Sequence, residues 1–217
     1  MSYPKDVFSR MFEGGGRAGS KTDQGLLYPK KEEVGEGEIS LQEIDDALLT
    51  NIFDVMLSSR SQRKFENKLV EDWKVEMIFA AADTAPTAGG FQGFEVYNIK
   101  NQEIKLKLVE AANKQPYVNA PVVLVFCMNP DRIKMNFPPD ILKKFSLQDS
   151  TLAAAYAQLA AHALGLSSIW IGMIDEQKIM SALGTGYVPA SILCLGYPQK
   201  VLQPKPKRNL RELIHEV

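Results

Sequence analysis

Cysteine is scarce in this chain of 217 residues, and the scarcity narrows the chemistry at once. Cys127 and Cys194 each lie inside an apolar run, VVLVFCM and SILCLGY, which is the setting of buried small hydrophobes and not of a disulfide or a metal pair. Histidine is equally sparse. His162 and His215 stand far from both cysteines and show no ligand spacing, so no metal site is expected. Neither sign of charge is in excess: 25 basic side chains face 26 acidic ones, whereas a protein that grips nucleic acid carries a basic surplus. Long apolar runs are missing too, so no segment is expected to span a bilayer. The opening residues, MSYPKDVFSR, lack the apolar stretch of a secretory signal. These absences point to a cytoplasmic protein with neither nucleic acid nor membrane as partner. Catalytic triads and carboxylate pairs are absent as well. Gly184-Thr185-Gly186 lacks the third glycine of a dinucleotide fingerprint.

What the chain does contain is a regular alternation of elements. Residues 1–39 are rich in glycine and charge and poor in periodic apolar pattern, which reads as an extended or mobile arm. From Ser40, a capping-box partner for Glu43, apolar residues recur at helical intervals to residue 58. A second helix is expected from about Glu71 to just before Pro86. A strand follows at 94–99, a helix at 102–114 and a strand at 121–128, the last apolar enough to be buried on both faces. Residues 129–148 hold three prolines and two phenylalanines without periodicity, and read as an irregular segment, with Asp149 or Ser150 capping the helix that runs to Gly165. A strand at 168–174, a helix at 176–183 and a strand at 190–197 complete an α+β class domain, an α/β sandwich.

Four segments carry candidate chemistry. Ser59-Arg60-Ser61-Gln62-Arg63-Lys64-Phe65 sets guanidinium groups around a hydroxyl, a combination that suits an anion because arginine forks match phosphate oxygens. A solvated basic helix end would look the same. The loop APTAGGFQGF, residues 85–94, has glycines that let backbone amides approach a flat ligand, and Gln92 can donate and accept at a heterocycle edge; an ordinary helix-to-strand turn is the plain alternative. AAHALGLSSIWIG, residues 160–172, is a core helix, a capping glycine and a strand, with Gly172 able to lie against a ring face. LGYP, residues 195–198, leads into the basic stretch KPKR at 205–208, which is either a second anion contact or a solvated tail.

Taken together and in this order, the four segments resemble the nitroreductase family of FMN enzymes. The likeness runs from about Leu48 to the C-terminus. It implies a nitroreductase-like fold over residues 40–217, with a central, mainly antiparallel sheet flanked by helices. It also implies bound FMN, NAD(P)H as electron donor and transient visitor, and a homodimer holding each flavin between subunits. The implied activity is a ping-pong oxidoreductase cycle delivering hydride to a small organic acceptor. Matched by position, Arg60, Ser61 and Arg208 would hold the FMN phosphate, with Lys205 or Lys207 assisting. Arg63 falls where the family puts a cation beside the pyrimidine edge, stabilising the anionic reduced ring. Thr87 and Gln92 match contacts to the ring and ribityl chain, and Ile171 and Gly172 match the strand end that covers the ring. The irregular segment 129–148 would then form a mobile cover, with Phe137 or Phe145 reaching the substrate face. Three departures from the family pattern stand out. Ser59 replaces an arginine, Gly90 an asparagine, and Gly93-Phe94 a Pro-Trp pair. The same fold also serves reductive dehalogenation, flavin fragmentation, ring or peptide oxidation, and non-catalytic flavin or deazaflavin carriage.

Overall fold

The computed structural model describes residues 52–203, 209 and 212–217. The expected arm at 1–39, the first part of the expected helix at 40–58, and Lys205, Lys207 and Arg208 lie outside the described residues. Among the described residues, nine α-helices and β-strands follow in chain order: α1 (Ile52–Ser58), α2 (Asp72–Asp83), β1 (Phe94–Asn98), α3 (Gln102–Ala111), β2 (Val122–Met128), α4 (Pro139–Ala163), β3 (Ser167–Ile171), α5 (Glu176–Leu183) and β4 (Pro189–Gly196). Their order is the expected one.

The strands form one sheet in the order β1-β2-β4-β3, antiparallel at every pairing. Every residue of β2 is buried, as its unbroken apolar run requires for a central strand covered on both faces. Alternate residues explain how. Val123, Val125 and Cys127 join Leu108, Ala111 and Ile179 from α3 and α5 in one core cluster. The opposite face lies under α4, whose Ala153, Ala154, Ala157 and Ala161 are fully buried and let the helix sit close to the sheet. Both cysteines are free and buried, and burial pushes the Cys127 thiol up to about 12.

Local chemistry marks the helix ends. The Asn101 side chain accepts from the amides of Glu103 and Ile104 at the start of α3, and Asp175 accepts from Lys178 N at the start of α5. Gly184 closes α5 with φ 62°, the left-handed conformation expected of a glycine there.

One expectation fails. Residues 139–148 are not irregular but form the first turns of α4, which begins at Pro139 and runs for 25 residues. Asp149 and Ser150 therefore lie mid-helix and buried, capping nothing. Proline in the first turn is an accepted helix start, because the amide it lacks would have no helical partner there. The apolar periodicity broke because Ser146, Asp149 and Ser150 occupy the inward face. Ser150 Oγ satisfies itself by donating back to Ser146 O at 2.8 Å, as serines within helices do.

Candidate functional site

The basic segment after α1 runs extended across the ends of two strands. Ser61 pairs in parallel with Ser168 of β3, and Phe65 pairs in antiparallel fashion with Pro198 beyond β4. Gln62 N donates to Ser168 O at 2.8 Å, and Glu66 N donates to Tyr197 O at 2.8 Å. Side chains alternate along such a segment. Gln62 points inward, 4% exposed, and its amide bonds Lys200 O at 2.9 Å while its oxygen accepts from the amides of Arg63 and Lys64. Ser61 and Arg63 consequently project outward, both exposed. The Arg63 guanidinium lies 5.7 Å from the Tyr117 ring centroid, a cation–π contact.

Arg60 is half-buried and sits beside His162 in the last turn of α4. Burial holds the His162 pKa below its ordinary value, a backbone hydrogen bond at Leu166 opposes the shift, and the Arg60 charge adds to it. Ser58 Oγ lies 2.9 Å from His162 Nε2, tying the end of α1 to the end of α4. The Ser58 hydroxyl is committed to Asp54 O, so at this corner the half-buried Arg60 and the exposed Ser61 hydroxyl form the donor set suited to a phosphate.

Tyr197, in the segment following β4, secures the same end of the sheet. Its hydroxyl donates to Glu71 Oε2 at 2.6 Å and receives a hydrogen bond from Lys74 Nζ at 2.9 Å. Burial, then the Glu71 contact, push its phenol up to about 12.

At the far end of β3 stand Ile171 and Gly172. The Ile171 side chain is buried in the sheet core, so only its backbone is available to a ligand. Gly172 is exposed, and a Cβ there would sit 2.5 Å from the Trp170 indole. Glycine is what allows the indole to fold over the strand end. A cleft of about 390 Å³ opens beside it, lined by Met128, Lys143, Lys144, Leu147, Gly172 and Ile174 among others. A second cleft of about 440 Å³, between α3 and α5, touches none of the candidate residues.

The glycine loop packs against the first half of α4. Thr87 Oγ1 accepts from Gln92 N at 3.2 Å, closing the loop on itself. The Gln92 side-chain amide is committed to Asp83, donating to Oδ1 at 2.6 Å and to the backbone carbonyl at 3.1 Å. Segment 129–138 is bonded to this loop and not free of it: Asn129 N donates to Gly93 O at 3.0 Å, and Arg132 Nε to Gln92 O at 2.9 Å. Phe137 and Phe145 meet edge to face with centroids 5.7 Å apart, Phe145 from the second turn of α4 and Phe137 exposed ahead of it. The expected mobile cover is thus half helix and half a bonded turn.

Sequence reasoning missed Asp149, Ser146 and Gln62. The signal for Gln62 was its place in an alternating extended segment. Asp149 and Ser146 gave none, since their partners come from the loop 53 to 61 residues earlier. Among the described residues no group of histidine, cysteine and carboxylate side chains could hold a metal, and no helix is long and apolar enough to cross a membrane.

Comparison with known proteins fits this geometry. The model of the nitroreductase family matches residues 57–121 and 116–197. A relative from Archaeoglobus fulgidus, whose name pairs NADH dehydrogenase with NAD(P)H nitroreductase, is 30% identical over 152 residues, covering 67% of this chain and 84% of its own. An FMN reductase (NADPH) from Bacillus subtilis is 27% identical over 184 residues, covering 77% of this chain and 74% of its own. Among solved structures, the NADPH:FMN oxidoreductase from Vibrio harveyi complexed with NAD+ superposes with a TM-score of 0.72 at 25% identity, over 77% of each chain. By these matches, and by the basic segment, glycine loop and strand end they span, the chain belongs to the nitroreductase family.

Proposed function

We propose that this NAD(P)H-dependent FMN oxidoreductase reduces a small organic acceptor, nitroaromatic or quinone-like, and works as a homodimer. The observation that carries the reading is the edge of β3. At one end Arg60, Ser61 and His162 gather around the Ser61–Ser168 bridge; four residues on lies Gly172. That spacing is roughly 13 Å at the rise of a strand. It suits an elongated cofactor with a phosphate at one end and a flat ring at the other. Among the described residues, no strand pairs with β3 on its outer side beyond that bridge.

The residues present fit FMN. Arg60 and Ser61 supply charge-assisted donors for its phosphate, and Arg208 and Lys205, outside the described residues, join them in the proposal. Arg63 would stand at the pyrimidine edge, Thr87 and Gln92 toward the ring and ribityl chain, and the backbone of Ile171 and Gly172 against the ring. With its side-chain NH2 on Asp83, its backbone amide on Thr87 and its carbonyl on Arg132, Gln92 would serve through its side-chain oxygen. When bound, FMN supplies the two-electron chemistry, a hydride arriving from NAD(P)H and leaving to the acceptor in a ping-pong cycle. This chain's own task is to hold charge and exclude water. Arg63 offers a fixed positive charge where negative charge develops on reduction. The cleft beside Gly172, with Phe137 and Phe145 at the same end of α4, is the proposed seat of the acceptor.

Two surfaces support the homodimer. Ile52, Met56 and Leu57 of α1 are exposed, as are Leu152 and Tyr156 of α4, large apolar side chains of the kind a second copy would cover.

The test is purification followed by identification of any released flavin and anaerobic mixing with NADH or NADPH. A yellow protein that either nucleotide bleaches is expected. A protein that neither retains nor takes up FMN refutes the reading, and one that binds FMN but is never reduced is a carrier.

A further inference from the structure

The Asp149 carboxylate is 2% exposed in the middle of α4, and both of its oxygens accept from the glycine loop. Oδ1 takes the amide of Ala88 at 2.9 Å and Oδ2 the amide of Gly93 at 2.9 Å. One helical turn earlier, Ser146 Oγ donates to Gly93 O, and Ser146 is fully buried. Gly93 is thereby held at both peptide groups.

Burying a carboxylate is costly, but an apolar residue of like size would leave the Ala88 and Gly93 amides without an acceptor. What the carboxylate does that an apolar residue cannot is to hold two backbone amides five residues apart at a set distance. The loop needs such a chord. Gly89, Gly90 and Gln92 all have positive φ, at 58°, 72° and 52°, and for a non-glycine this conformation costs about 1–2 kcal/mol. Gly93 stands where the family motif has proline, which lacks an amide hydrogen and would offer Asp149 nothing. Gly89 and Gly90, between the clamped ends, are exposed.

We propose that Asp149, seconded by Ser146, is the positioning residue of loop 87–93, fixing the backbone that faces the flavin and so setting flavin affinity and redox potential. This rests on the FMN reading above, and the experiment separates the two. Asp149→Asn keeps the volume but turns an NH2 group toward one of the two amides, in either orientation of the side chain. Apo protein is titrated with FMN well below its melting temperature, with circular dichroism to confirm the fold. We expect FMN bound at least about tenfold more weakly, about 1.4 kcal/mol, with a changed flavin absorption envelope and a shifted midpoint potential. Ser146→Ala should show the same changes at about threefold. A role in overall stability alone would lower the melting temperature and move none of these readouts. Amide hydrogen exchange at Ala88 and Gly93 is measured in parallel: slow in the wild type and fast in Asp149→Asn. If the wild type binds no FMN, the function reading fails and the exchange rates alone decide the clamp. Wild-type affinity, spectrum and potential in both folded variants overturn the inference, as do unchanged exchange rates. Should Asp149→Asn not fold, the same wild-type values in Ser146→Ala overturn it.

Discussion

Replacing Gly93 by alanine adds one methyl group in a place with no room for it. A Cβ at this position would lie 2.6 Å from Ile133 Cδ1, 2.8 Å from Ile133 Cγ1 and 3.0 Å from Asp149 Oδ2. Ile133 is 3% exposed and cannot swing into solvent. Overpacking of this kind costs about 1–3 kcal/mol. Against it stands the lower entropy of an alanine-containing unfolded chain, which returns about 0.4–1 kcal/mol. The overlap wins, and at about 2–4 °C per kcal/mol for a domain of this size we expect melting to fall by roughly 2–8 °C. Ile133→Val removes Cδ1, the atom in closest conflict, and by itself costs about 0.5–1.5 kcal/mol. In the double variant that loss should be largely repaid, so the two changes should couple favourably by about 1 kcal/mol. Calorimetry on the four proteins of the cycle gives the number. A Gly93→Ala protein that melts with the wild type, or a double variant whose destabilisation equals the sum of the singles, would refute the packing argument.

Arg60→Ala should strip FMN, since a charge-assisted phosphate contact is worth about 1.5–3 kcal/mol and its loss weakens binding roughly tenfold to a hundredfold; full flavin occupancy after purification would contradict the anchor. Arg63→Met should leave FMN bound while lowering the midpoint potential in a redox titration, because the reduced ring loses its compensating charge. His162 has a folded pKa depressed by burial, so below its unfolded value of about 6.5 the unfolded chain takes up the proton first. Stability is therefore full above that pH and falls on acidification, and His162→Gln should flatten the loss in melting curves between roughly pH 7 and 5. Trimming Phe137 and Phe145 to alanine should alter acceptor preference with flavin content unchanged, and light scattering should report a dimer; a flavin-loaded monomer would defeat the assembly proposal.

The order of elements, the α+β class and the four motifs were legible in the sequence because each is local. The unbroken apolar run at 122–128 suited a strand covered on both faces, and the periodic apolar faces of α2, α3 and α5 marked their own helices. The basic segment at 59–65 was legible from residue type as a candidate for an anion, with a solvated helix end as the alternative. Its alternation, with Gln62 inward and Ser61 and Arg63 outward, became clear only when the segment was laid along Ser168 and Tyr197, more than a hundred residues away. The start of α4 was hidden for a related reason. Ser146, Asp149 and Ser150 broke the apolar stripe, yet they face inward because a loop carbonyl, loop amides and the helix's own carbonyls respectively satisfy them. Likewise, nothing local distinguished Ile171, whose side chain belongs to the sheet core, from the exposed Gly172 that follows it. The sequence by itself determined the order of helices and strands and the four candidate segments, though not where α4 begins, because periodicity and residue chemistry act over a few residues. Tertiary structure alone decided that a buried carboxylate on α4 holds the glycine loop, because a polar group is stable inside only when partners from elsewhere in the chain arrive to meet it.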